Sequence, residues 1–289
     1  MLEVEYPALF AAADAAALTG ERWYARLVEL DLVLITAGAL TAGVGSAVVS
    51  SWRQPLAGLA VILIGVAVIL RWVNRATRRD KVWFDGRSVA ESVKTASWRY
   101  MMRAAPFTDS ATDADKLLVN ELQEILRARK DLPLDAAKSA GPQITSSMRE
   151  VRATSFDSRK TFYLERRIED QVNWYSGRAS LHRSRARVWF GVGLAAEIVA
   201  FIWAVVRVIR TDAVNLIGFF ASVAAAATAL AQLSRNDELA RSYTLAAQEL
   251  QLIRSLMEPA DTEERFLEFV ENSEGAISRE HTMWMAKRT

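Results

Sequence analysis

The chain has 289 residues, of which 51% are hydrophobic and 24% charged, and its formal net charge is +2. So much apolar sequence beside so many charges requires the two to be segregated along the chain. The near-neutral balance gives no global case for a nucleic-acid polymer as partner, and the absence of cysteine excludes disulfides and thiolate metal sites.

The opening "MLEVEYPALF" is acidic and lacks the basic-then-apolar order of a secretory signal, so no cleavage is expected. In the N-terminal half, helices are expected at about 8–30, 86–103 and 113–130, with a first pair of membrane spans at about 32–50 and 56–73. The first span is free of charge between Asp31 and Arg53. The second runs from Arg53 to Arg71, where Arg71 and Trp72 extend it by snorkelling and interfacial anchoring. "SWRQPL" (51–56) is the expected hairpin tip. The Pro, Gly and Ser of "PLDAAKSAGPQITSS" (133–147) mark a linker, so the chain divides into a first unit at 1–132, a linker at 133–156 and a second unit at 157–289.

In the second unit, Ile168, Val172, Tyr175, Ala179, His182, Ala186 and Trp189 recur at alternating spacings of four and three. One helix is therefore expected from about 158 to 209, roughly 75 Å at ~1.5 Å per residue. Its second part is a third span, about 188–209, and after the tip "RTDAVN" (210–215) a fourth follows at about 213–233. A helix continuing this span is expected to stop before Pro259. Asp261 and Glu264 then make a capping-box pattern for a last helix carrying Phe266, Val270, Ser273, Ile277 and Trp284 on one stripe.

Short tips within each pair put both tips on one side of a bilayer and everything else on the other. Arg71, Arg75, Arg78, Arg79 and Lys81 follow the second span, and Arg178, Arg183, Arg185 and Arg187 precede the third. By the positive-inside rule, the termini and the long intervening region are expected in the cytoplasm. The hairpins also share surroundings: "ERWYAR" precedes the first and "NWYSGRA" the second, while "VAESVKTASWRYMM" and "LAAQELQLIRSLM" follow them. The fold class is an all-α membrane protein of two pseudo-repeated transmembrane hairpins, with long helices extending into a cytoplasmic helical bundle.

Signals for chemistry are few. Only His182 and His281 could offer imidazole, so no metal or other cofactor is expected, and neither a P-loop nor a Gly-x-Ser-x-Gly elbow occurs. An enzyme is not expected. Gly38 and Gly45 repeat at seven in the first span, as do Gly58 and Gly65 in the second, and with Gly193 they are expected to let helices approach closely. Trp52, Trp72 and Trp189 fall where interfacial anchors belong. Trp98, Arg99 and Arg103 crowd one stretch, where a ring to stack on and guanidinium groups would suit a nucleotide, although a core helix with a solvated face explains them too.

Glu197 lies near the middle of the third span. An acidic group there disfavours insertion by roughly 2.5 to 3.5 kcal/mol, so it must face protein or water. A hydrogen bond between helices, with Ser222 or Thr228 nearest in depth, and a pore-lining or gating role are both open. Gly193, Glu197, Ala200, Ala204 and Arg207 share one stripe; Asn215, Gly218, Ser222, Ala225, Ala229 and Gln232 share another. A pore needs polar residues turned away from the subunit's own helix contacts, whereas a non-conducting scaffold or receptor that recruits a partner needs only small residues for packing.

The order "YPALFAAADAA", a hairpin, "AESVKTASWRYMMRAAPF", "YLERRIEDQVNWYSGRA", a second hairpin, "AAQELQLI" and "ISREHTMWMA" resembles the SLATT proteins in their tandem two-unit form. The resemblance covers nearly the whole chain. It implies a two-transmembrane effector associated with bacterial nucleotide signalling, one that opens a pore or damages the membrane in anti-phage or other conflict systems. Its implied partners are the lipid bilayer, further copies of the chain, and a nucleotide second messenger or signalling protein. It implies no catalytic or ligand residues.

Overall fold

The computed structural model describes residues 4–45, 50–108, 110–210, 216–255 and 262–286. Among them the regular elements are helices: α1 (Ala8–Gly45), α2 (Ser50–Thr77), α3 (Arg79–Met102), α4 (Ala111–Arg127), α5 (Ala136–Ser139), α6 (Ser146–Ala153) and α7 (Phe156–Tyr163). A π-helical turn (Leu164–Glu169) leads into α8 (Asp170–Ile209), followed by α9 (Ile217–Ser234), α10 (Asn236–Ser255) and α11 (Glu263–Ala286). Four helical stretches are long and apolar enough to cross a membrane, and they include α1, α2, α8 and α9. Hydrocarbon offers backbone amides no partner outside the segment, so apolar runs of this length close their hydrogen bonds as helices. The chain is thus the expected all-α membrane protein with four spans.

One local expectation changes and another holds. Residues 51–56, read as the first tip, are already helical in α2, which contains Pro55. Proline near the start of a helix forfeits one backbone hydrogen bond and is tolerated there. The helix expected from 158 to 209 is continuous from Phe156 to Ile209, with the π turn inside it. Residues 211–215 of the second tip lie outside the described residues.

The first hairpin is held by a seam of period seven. Asp31, Gly38 and Gly45 of α1 are all buried. At one end the Arg71 Nε and Nη2 groups donate to Asp31 Oδ2 at 3.2 and 2.8 Å. A Cβ on Gly38 would lie 2.9 Å from Ile64 Cγ1, and one on Gly45 would lie 3.2 Å from Leu56 Cβ. On α2 the buried residues are Ala60 and Ala67, while Val61 and Val68 beside them are 71% and 63% exposed. Thus α2 offers α1 a narrow stripe of small side chains, sets Ile64 and Leu56 against the glycines, and turns Val61 and Val68 outward, as lipid requires. Gly58 and Gly65 have the same spacing as Gly38 and Gly45, but a Cβ on either would meet nothing within 4 Å. They sit on the outer face and take no part in hairpin packing.

Contacts divide the chain into two compact units, one of Met1–Glu21, Asp80–Ala179 and Arg241–Thr289, the other of Arg22–Arg79 and Ser180–Ala240. Each draws on both halves of the sequence. The second holds both hairpins and is the membrane unit. In the first, Leu9 and Ala13 of α1 join Val93, Trp98, Tyr100 and Met101 of α3, Leu118 of α4, Met148 and Val151 of α6, and Phe266 and Val270 of α11 in one core.

The segment expected as a linker is fixed to this core. Ala8 N–H donates to Pro142 O at 3.1 Å and Leu9 N–H to Gln143 Oε1 at 3.1 Å, which satisfies two amides that a helix start leaves open. Thr145 donates to Glu5 O at 2.7 Å and accepts from Met148 N–H at 3.3 Å as the N-cap of α6. Its Pro, Gly and Ser content therefore marks a turn that clamps the start of α1, and the chain there is tethered at several points.

Two helix junctions carry the same deviation. Arg78, between α2 and α3, has φ 44°, and Arg235, between α9 and α10, has φ 45°. A left-handed residue with a side chain costs about 1 to 2 kcal/mol and interrupts the helix. The break recurs after the second span of each hairpin, as the duplication predicts.

At one point in the extramembrane unit two backbones touch. A Cβ on Gly86 of α3 would lie 2.8 Å from Ala17 N and 2.9 Å from Ala13 O of α1. Backbone cannot swing aside as a side chain can, so Gly86→Ala is expected to destabilise the unit by about 1 to 3 kcal/mol. Gly58→Ala, in open space, is expected to be neutral or to gain up to about 1 kcal/mol from helix propensity. Thermal melts of the two variants in detergent check the contrast.

Candidate functional site

The second hairpin positions the intramembrane polar residues. The inward face of α8 follows the pattern read from sequence: Tyr175 and Ala179 are buried in the extramembrane unit, and along the hairpin seam His182, Ala186 and Trp189 are half-buried and Gly193 and Ala196 buried. Across it α9 presents Ala224 and Ala227, both buried. A Cβ on Gly193 would lie 3.7 Å from Ala227 Cβ and 4.0 Å from Ala224 O, so the helices meet through glycine and alanine. At the end of the seam His182 Nδ1 and Asn236 Oδ1 are 2.8 Å apart, and Asn236 Nδ2 donates to Ser234 Oγ at 2.7 Å.

Glu197 follows the buried Ala196 and points elsewhere. One residue along an α-helix is a rotation of about 100°, enough to take a side chain off a narrow seam. Glu197 is exposed, flanked along the helix by Phe190 and Phe201, each 71% exposed, and by Leu194. Among the described residues no hydrogen bond or ion pair reaches it. The expected interhelical hydrogen bond to Ser222 or Thr228 is not made among the described residues, because Glu197 is turned off the seam. Ser222 Oγ donates to Gly218 O at 2.7 Å and Thr228 Oγ1 to Ala224 O at 2.9 Å.

The other predicted positions lie along α8 and α9. Ala200, Ala204 and Arg207 are half-buried near the seam of α8. On α9, Gly218, Ala225 and Gln232 are exposed and Ser222 and Ala229 half-buried, so that stripe lies off the seam made by Ala224 and Ala227. Asn215 lies outside the described residues.

The nucleotide-stacking candidates belong to the extramembrane core. Trp98 is 1% exposed; its ring lies edge-on to Tyr163, and its Nε1 donates to the Tyr6 hydroxyl at 3.0 Å. It offers no open face to a base. Arg103 donates Nε and Nη2 to Arg152 O at 3.1 and 2.9 Å, and Arg99 is half-buried on the same helix. The Arg103 guanidinium ties the turn after α3 to the end of α6. The described side chains end at Ser278, so His281 and Trp284 lie beyond them.

A buried ion pair that the sequence did not disclose lies next to Trp98. Arg167, within the π turn, and Glu274 of α11 have side chains 1% and 0% exposed. Arg167 donates Nε to Glu274 Oε1 at 2.8 Å and Nη2 to Oε2 at 2.6 Å. The Tyr163 hydroxyl donates to Oε1 at 3.0 Å and Thr95 Oγ1 to Oε2 at 2.9 Å, so four donors converge on one carboxylate. The guanidinium also lies 6.0 Å from the centre of the Trp98 ring. Burial alone would push Arg167 down, but the carboxylate of Glu274 outweighs it and keeps the guanidinium charged. Burial, above all, raises the Tyr6 hydroxyl to about 12 and Tyr163 well above its ordinary value, so both stay neutral hydroxyls.

The two hairpins, each closed on a small-residue seam and each followed by a left-handed arginine, define a multi-pass, all-helical membrane protein built from two repeated units. A family model described as SMODS and SLOG-associating 2TM effector domain 3 matches residues 7–160, and one described as SMODS and SLOG-associating 2TM effector domain 1 matches residues 163–284. The chain belongs to the SLATT family and carries two of its units in tandem. SLATT domains are two-transmembrane effector domains linked to conflict systems. No curated protein and no solved structure matches the chain.

The ion pair makes a sharp prediction. Removing one partner of a buried pair leaves the other charge unpaired, so Arg167→Met or Glu274→Leu alone is expected to cost about 3 to 5 kcal/mol. The double variant is expected to recover most of that loss. A double-mutant cycle by denaturant unfolding of the purified protein measures it.

Proposed function

We propose that the protein is a signal-responsive membrane effector of bacterial conflict systems, which assembles from identical copies in the inner membrane, with both termini cytoplasmic, and opens a water-filled passage. The observation that supports a pore over a scaffold is the direction of Glu197. A scaffold needs only the small-residue seams, and Glu197 stands outside its own seam, exposed among Phe190, Leu194 and Phe201.

Facing lipid, that carboxyl opposes insertion by roughly 2.5 to 3.5 kcal/mol. Water in a passage, or a neighbouring copy, removes the cost. The off-seam stripe of α9, with Gly218, Ser222, Ala225 and Gln232, supplies further small and polar lining of the kind a narrow passage requires. The nucleotide-type trigger rests on the family's association with conflict systems.

Full-length protein in dye-loaded vesicles is expected to release the dye, and to do so faster with an activating cyclic nucleotide. Glu197→Leu is expected to slow release several-fold, and Glu197→Gln to alter it less. If no flux appears with or without nucleotides, and cells expressing Glu197→Gln are inhibited as strongly as with the native chain, the scaffold reading replaces this one.

A further inference from the structure

The charges of the membrane unit do not balance. At the long-loop ends of its spans, residues 22–31, 71–79, 180–187 and 235–240 hold ten arginines against four carboxylates, Glu29, Asp31, Asp237 and Glu238. Two of those carboxylates are taken within the unit, Asp31 by Arg71 at 2.8 Å and Glu238 by Arg235 at 2.6 Å. Arg75 of α2, Arg78 at the junction after it, and Arg185 and Arg187 of α8 are exposed, and no ion pair joins them among the described residues. Such a concentration of like charge repels itself unless an anion lies against it.

The place of these residues says which anion. Arg187 stands immediately before the apolar run that opens at Val188, and Arg75 follows the preceding run within four residues of Arg71. Trp72, between Arg71 and Arg75, is 70% exposed. Tryptophan exposed at the end of a span sits at headgroup depth, which brings the neighbouring guanidinium groups level with lipid phosphates. A guanidinium presents two parallel N–H donors to a phosphodiester, whereas an ammonium presents a point charge. All four residues are arginines.

We propose that Arg75, Arg78, Arg185 and Arg187 form a binding collar for the phosphate headgroups of anionic phospholipid, and that the membrane unit requires such lipid for full stability. The collar is independent of whether a passage opens.

Full-length protein in a neutral detergent at low salt tests it by thermal unfolding during titration with phosphatidylglycerol, with phosphatidylcholine or with inorganic phosphate. Phosphatidylglycerol is expected to raise the melting temperature, while the other two leave it in place. In the variant R75Q/R78Q/R185Q/R187Q the half-saturating concentration of phosphatidylglycerol is expected to rise roughly tenfold or more. Should that variant not fold, R75Q/R78Q and R185Q/R187Q made separately are each expected to show part of the increase.

Equal stabilisation by phosphatidylcholine overturns the proposal. So does a full effect of inorganic phosphate alone, which would make this a free-anion site. An undiminished response to phosphatidylglycerol in the variants overturns it as well.

Discussion

Two apolar helices in a bilayer gain nothing from leaving lipid for each other, so what holds a hairpin together is close backbone approach. This constraint governs the membrane unit. Gly38 and Gly45 let α1 rest against α2, and Gly193 and Ala196 let α8 rest against Ala224 and Ala227 of α9. Bulk at these positions would separate the helices and forfeit the dispersion contacts that replace the hydrophobic effect. The polar groups at the seam ends, Asp31 with Arg71 and His182 with Asn236, add direction to contacts that are otherwise without it.

The extramembrane unit obeys the opposite economy. There water drives aromatic and aliphatic side chains together, and the core can enclose an ion pair because every oxygen of Glu274 finds donors. Tyr163, Thr95 and Trp98 complete its surroundings. The pair joins α3, the π turn before α8, and α11, three elements far apart in sequence. A polar network that satisfies both oxygens of a buried carboxylate specifies one packing of those helices where apolar contacts alone would tolerate several.

Much of this was legible in the sequence, and the failures share a cause. Charge-free runs marked the four helices long and apolar enough to cross a membrane, and the spacing through Tyr175, Ala179, His182, Ala186 and Trp189 marked the inward face of α8. Period alone does not say which of two helices spends its glycines on the contact, so Gly58 and Gly65 looked like Gly38 and Gly45. Nor does it resolve a side chain at the edge of a stripe: Glu197 shares a face with Gly193 within the width of one helical turn, yet the seam takes Ala196 instead. Arg167 and Glu274 are 107 residues apart, and nothing local in either sequence context announces the other. Trp98 beside Arg99 and Arg103 read as a possible ligand platform because composition cannot show that the ring is enclosed.

The left-handed arginines have a mechanical meaning. In each half the first span continues unbroken into the sequence before it, as α1 does from Ala8 and as the stretch through the π turn into α8 does from Phe156. In each half the second span is cut from its successor at one residue, Arg78 or Arg235. A rod resists bending where its ladder of hydrogen bonds is whole and yields where the ladder is interrupted. Each hairpin therefore consists of one strut and one jointed arm, and the duplication has produced this pair twice.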